Sequence, residues 1–325
     1  MRNKVINSFI FLVGVFSLTS CLKGDPINLD PSRSNNVIEF NNTGSIVSGV
    51  NAAYHRFACD LGTMDAGGTA TFNVNVNYAG ADVAPEDITV TLAVDEAALT
   101  EYNETDEGNF VMPPADIYSF PSSVVIKKGT HQTTVQVTIT NNASFDFNVN
   151  YALPLKIASV SSGVISGNFG TAIYSFAARN KYDGIYTDEV LSFTDYTLGA
   201  AAVATTPKTL YLITYGATSV AYFDPNLNGG LYGFTFKNNG AGSYYGNFAP
   251  IFNFDEAGNI TAVTNYYGQG TNSSARACEL NPEGVNKLTF NADGTPNVLE
   301  VSYFMTQGGA LRLSIIEKMT YQSPR

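Results

Sequence analysis

The sequence predicts an all-β protein, with a β-sandwich in its first half and an antiparallel meander closing into a barrel in its second. Three observations carry this. Apolar and polar residues alternate with period two through most of the chain. Asn, Asp and Gly cluster between the alternating runs, where hairpins need them. Tyr (19) and Phe (21) are abundant, while charged residues make up 14%, against about 25% in typical globular domains.

The N-terminus is of another kind. Arg2 and Lys4 precede a mostly apolar run from Ile6 to Leu18. That run is too short to span a bilayer, which takes about 20 apolar residues, but it suits the apolar region of a signal peptide. Leu18-Thr19-Ser20-Cys21 reads as a lipobox: small residues admit the signal peptidase, and the Cys21 thiol accepts a diacylglycerol. Residues 1–20 are thus expected to be a lipoprotein signal peptide. Cys21 is the expected lipidation site and mature N-terminus, held at the membrane through its acyl chains. Residues 21–36, polar and carrying Pro26 and Pro31, form the linker. Lys23 and Asp25 tilt the reading toward an outer-membrane protein facing the cell exterior.

Residues 37–178 read as a sandwich. "TATFNVNVNY" (69–78) sets Phe72, Val74, Val76 and Tyr78 on one face and asparagines on the other. "DITVTLAVD" (87–95) and "HQTTVQVTIT" (131–140) repeat the pattern, "DEAALTEYNE" (95–104) contains helix formers, and "FGTAIYSFAAR" closes the segment. About seven short strands in this length describe an immunoglobulin-like (Ig-like) sandwich.

Within it, Ala98-Leu99-x-x-Tyr102-Asn103, Tyr118, Val125-Ile126-x-x-Gly129, Tyr151-x-Leu153-Pro154-Leu155-x-Ile157 and Ser162-Gly163-x-Ile165-Ser166 follow in order. This series resembles the N-terminal Ig-like domain of Bacteroidetes surface lipoproteins from polysaccharide-utilisation systems. The resemblance implies a spacer in front of a variable C-terminal module, and it brings no catalytic residue.

A polar break at "ARNKYDGIYTDE" (177–188) leads into residues 181–325. Strands are predicted at 209–216, 220–224, 232–236, 250–255, 260–268, 287–291, 298–305 and 311–321. Two Asx/Gly hairpins lie among them, at 254–260 and 290–295. A meander of eight or nine strands has exposed edges, and closure removes them. The Tyr182-Asp183-Gly184-x-Tyr186 opening and the meander resemble the lipocalin-like, barrel-forming C-terminal domains found in similar lipoproteins.

Charge and spacing narrow the chemistry. With 28 acidic and 17 basic residues the formal charge is −11, and losing Arg2 and Lys4 with the leader makes it −13, so a nucleic-acid partner is not expected. There are two histidines, His55 and His131, and no Cys-x-x-Cys, so neither a metal nor a cofactor is expected. Cys59 and Cys278 read as two separate buried thiols, with a cross-domain disulfide as the alternative. "DPNLNGG" (224–230) alternates oxygen donors but lacks the closing Glu of a calcium loop, and reads as a turn. Asp188 with Glu189, and Asp255 with Glu256, are sequence neighbours that point apart on a strand or sit solvated in a turn. They do not form the facing carboxylates of a glycosidase. No catalytic residue is assigned, and the protein is read as a non-enzyme.

Aromatic and amide density remains. Tyr222, Asp224, Tyr244, Tyr245, Asn247, Asn265, Tyr266, Tyr267 and Gln269 are the candidate ligand residues. Rings stack on the apolar faces of sugars, and amides and carboxylates take their hydroxyls. The expected partner is a polysaccharide or oligosaccharide, together with the membrane and outer-membrane transport proteins. The alternatives are a structural or adhesin-type lipoprotein contacting another protein and, third, a glycoside hydrolase.

Overall fold

The computed structural model describes residues 36–41, 47–48, 52–105 and 108–325, and the expected signal peptide, Cys21 and nearly all of the linker lie outside them. The chain is all-β, as the alternation predicts. Ten strands build the first half: β1 (Val37–Asn41), β2 (His55–Thr63), β3 (Thr69–Ala79), β4 (Ile88–Val94), β5 (Tyr118–Ser119), β6 (Ser123–Ile126), β7 (Gln132–Thr140), β8 (Tyr151–Val160), β9 (Val164–Ile165) and β10 (Thr171–Arg179). They form two five-stranded sheets, ordered β5-β7-β3-β1-β9 and β2-β10-β8-β4-β6. Phe72, Val74, Val76 and Tyr78 are the buried face of β3, while Asn73 stays exposed. The core between the sheets centres on Tyr174, whose ring meets Phe57 at 5.5 Å and Phe72 at 5.8 Å.

Helix α1 (Glu96–Thr105) lies where the helix formers cluster, and Leu99 and Tyr102 pack on Ala152 and Ile173. It covers the outer face of the second sheet, which explains why Tyr151 to Leu155 are all buried instead of alternating. The two pairings that close the sheets, β10 with β2 and β1 with β9, are parallel.

The second half contains β11 (Gly184–Asp195), β12 (Ala202–Ala204), β13 (Lys208–Gly216), β14 (Ser219–Phe223), β15 (Phe234–Asn238), β16 (Ala241–Tyr245), β17 (Pro250–Phe254), β18 (Ile260–Asn265), β19 (Arg276–Leu280), β20 (Lys287–Phe290), β21 (Pro296–Gln307) and β22 (Ala310–Ser323). Eight of them run β18-β17-β14-β13-β11-β22-β21-β19, and β18 comes back beside β19, so the barrel is nearly closed. Side chains fill it. Leu210, Leu212, Tyr222, Phe252, Tyr303 and Ile315 are among its fully buried residues, as expected of an eight-stranded barrel.

Strands β12, β15 and β16 leave this path and form a separate three-stranded lid. The lid lies across the end where β11 finishes and β13 and β22 begin. There Phe234 stacks on Phe193 at 5.7 Å and meets Tyr222 at 6.1 Å.

Candidate functional site

The lid and the loop after β14 border an open cavity of about 470 Å³. The loop is shaped by its own chemistry. Asp224 pairs with Leu231 in an isolated bridge, its Oδ1 accepts the Asn226 amide at 2.9 Å, and Asn228 adopts φ of 50°. Asn226 and Asn228 stand exposed on the rim, and Lys208, Thr235, Ser243 and Tyr244 complete the wall. Tyr244 is 44% exposed, so a ring face is open to a ligand. Behind it the charged groups are hydrogen-bonded through one hydroxyl: Lys208 Nζ donates to Thr235 Oγ1 at 3.0 Å, and that hydroxyl donates to Asp224 Oδ2 at 3.0 Å.

A buried network continues from Lys208 into the barrel. Its Nζ lies 3.7 Å from Asp188 Oδ2 and over the rings of Tyr222 and Phe234, at 5.1 and 4.9 Å. The Tyr222 hydroxyl reaches Asp188 at 3.2 Å and Glu317 at 3.5 Å, and Tyr303 donates to Glu317 at 2.7 Å. Burial pushes the Asp188 carboxyl up to about 6, against the opposing pull of Lys208 and Tyr222. Burial and the neighbouring Asp188 hold Glu317 well above the usual carboxylate range. Both influences favour the protonated form of Glu317. Both acids are fully buried, so bound sugar has no path to them.

The candidate residues fall into three groups. Asp224 and Tyr244 meet at the cavity, Tyr244 with its ring exposed and Asp224 buried behind the wall, where its carboxylate holds Asn226 and Thr235. Tyr266 and Tyr267 belong to a half-exposed ring cluster elsewhere: Tyr266 stacks on Tyr232 at 3.9 Å and meets Tyr215 edge-on, and the Tyr267 hydroxyl donates to Tyr232 O. The remaining five serve the framework. Burial withdraws Tyr222, Tyr245 and Asn265 from any ligand surface. Tyr222 joins the acid network, and Tyr245 stacks under the lid on Phe236 at 4.5 Å with its hydroxyl on Asp195. Asn265 donates to the carbonyls of Asn247, Gly268 and Arg276. Asn247 ties its loop to Ser273 and Ser274, and Gln269 bridges β18 to β19. Amides dense enough to suggest hydroxyl recognition instead satisfy backbone where strands run out.

Lys208 and Glu317 belong to no motif, and Asp188 is set aside by its pairing with Glu189, yet the sequence carries a signal for the two new residues. Lys208 shares parity with Leu210 and Leu212, and Glu317 with Leu313, Ile315 and Met319, so each charge stands on an inward apolar face. Asp188 and Glu189 do point apart, the first buried and the second exposed. Asp188 meets its partner acid across β11 and β22 instead. Cys59 in β2 and Cys278 in β19 are free thiols.

Fold and site together define a two-module all-β protein with a lidded barrel and a polar cavity at the barrel's mouth. Residues 40–164 match a family model described as an N-terminal domain. Among solved structures, the chain is similar to a protein of unknown function from Bacteroides ovatus, at 13% identity over 89% of this chain and 95% of that one, with a TM-score of 0.56. That likeness shows a shared fold. Looser matches, from the same organism, are a multidomain protein including DUF1735 (14% identity, 87% and 92% covered, TM-score 0.42) and a candidate carbohydrate-binding protein (12%, 89% and 98%, TM-score 0.38). The sequence matches none of the curated proteins.

Proposed function

We propose that this chain is a non-catalytic surface lipoprotein that binds glycan in the cavity beneath the lid, as part of a bacterial polysaccharide-utilisation system. One observation carries the reading: an open tyrosine ring, Tyr244, stands over a wall of hydroxyl and amide groups, with the Lys208 and Asp224 charges behind it hydrogen-bonded to Thr235. A sugar has both surfaces to match, an apolar C–H face for the ring and hydroxyls for Asn226, Asn228 and Ser243. The lipobox at Cys21 supports a membrane tether, and the sandwich serves as the spacer that lifts the barrel from it. The non-enzymatic reading rests on the inaccessibility of Asp188 and Glu317.

The runner-up is an adhesin-type protein contacting another protein through the Tyr215, Tyr232 and Tyr266 rings. A glycan array on the mature protein, followed by calorimetry, separates the two. Tyr244→Ala and Asn226→Ala should each weaken glycan binding by about tenfold or more, roughly 1.4 kcal/mol. Absence of binding to every polysaccharide, or affinity unchanged in both variants, overturns the cavity reading.

A further inference from the structure

Two guanidinium groups converge on one tyrosine beneath the lid. The Arg276 Cζ, at the start of β19, lies 5.1 Å from the Tyr245 ring centroid, and the Arg312 Cζ, near the start of β22, lies 5.9 Å from it. Arg312 is answered by an acid: its Nη2 lies 3.4 Å from Asp195 Oδ2 and its Nε 3.3 Å from Oδ1. The Nε contact is within ion-pair range but off the axis of a hydrogen bond, so that N–H has no acceptor. Burial pushes the Asp195 carboxyl up, but hydrogen bonds from Tyr245 and from the Leu198 and Thr197 amides outweigh it, and the group is ionised.

Arg276 has no such answer. Among the described residues no carboxylate lies within ion-pair distance of it. It donates to one neutral acceptor, the Gly246 carbonyl, and its Nε is buried without a partner. Burial, and then the repulsion of Arg312, lower its pKa, although the Tyr245 ring hydroxyl opposes this. A half-buried cation beside a second cation, with an idle N–H, costs free energy unless something completes it. Acids are not scarce in this chain, which has 28 of them against 17 basic residues.

We propose that Arg276 and Arg312 form a seat for an oxyanion, the carboxylate or sulfate group of an acidic sugar. A guanidinium fork matches two oxygens of such a group at once, and an anion at the accessible guanidinium ends would pair the excess charge. The seat is distinct from the cavity. Tyr244 lines the cavity and Tyr245, the next residue on β16, faces the arginines, because neighbours on a strand point to opposite sides. The inference therefore stands whether or not neutral glycan binds under Tyr244.

The test uses the full mature chain, titrated with sodium glucuronate, sodium sulfate and glucose at constant ionic strength, and followed by the Nε–H resonances of its arginines and by thermal shift. The Arg276 resonance should move saturably with glucuronate, sulfate or both, and not with glucose; which anion saturates identifies the group. Arg276→Gln should abolish the response, and Arg276→Lys, which keeps the charge but loses the fork, should weaken it at least about tenfold. In anion-free buffer Arg276→Gln should melt no lower than wild type, because it removes an unanswered charge, whereas loss of a purely structural clamp would lower Tm. No saturable shift with either anion, or an equal shift in Arg276→Gln, overturns the seat.

Discussion

The side-chain amide of Gln269 is hydrogen-bonded to both backbone groups of Cys278, donating from Nε2 to its carbonyl at 2.7 Å and accepting its N–H on Oε1 at 3.0 Å. The same Oε1 accepts the Asn265 N–H at 2.7 Å. One side chain thus stands where a ladder between β18 and β19 would be. Gln269→Ala should leave the Cys278 peptide groups unpaired in a buried setting and cost roughly 1–3 kcal/mol. A urea titration read by circular dichroism checks this, and a midpoint equal to wild type would show that the seam holds without the amide.

The acid pair makes stability pH-dependent. Asp188 and Glu317 bind protons more tightly folded than unfolded. Between the ordinary carboxylate range and the raised values, the native state therefore holds more protons. Stability falls as pH rises through about 6. Tm should be higher near pH 5 than near pH 8, and Glu317→Gln, which keeps an acceptor for Tyr303 while removing one acid, should flatten that slope. A Tm that rises steadily from pH 5 to 8 would contradict the pairing.

Tyr266 separates ring packing from recognition. Its stack on Tyr232 at 3.9 Å should be worth about 0.5–1.5 kcal/mol beyond buried area, so Tyr266→Ala should lower stability. Glycan affinity should stay near wild type. If Tyr266→Ala weakens binding more than Tyr244→Ala does, the ligand lies on the outer ring cluster.

Gly258, in the hairpin between β17 and β18, has φ of 83°, and a Cβ there would meet Leu288 O at 2.4 Å. Gly258→Ala should destabilise by at least ~1–2 kcal/mol from backbone strain alone, with more from displacing β20. Thermal melts of the variant measure it.

Cys21→Ala should leave the protein unlipidated. Detergent partitioning of whole-cell fractions should then move it from the membrane pool to the soluble one, and unchanged membrane retention would refute the lipobox reading.

Read by itself, the sequence determined the all-β class, the inward face of the most regular strands and the positions of the Asx/Gly hairpins, because these depend on residues two to four apart. Only the tertiary structure decided which strands are neighbours: that β10 lies parallel to β2, that β12, β15 and β16 form a lid, and that Asp188 meets Glu317. It also sent Tyr244 to a cavity and Tyr245 beneath the lid. The physical reason is that period and turn chemistry are local properties of the chain. Strand partnership and burial, by contrast, are set by contacts between residues that lie from tens to more than a hundred positions apart, which leave no pattern in either segment alone.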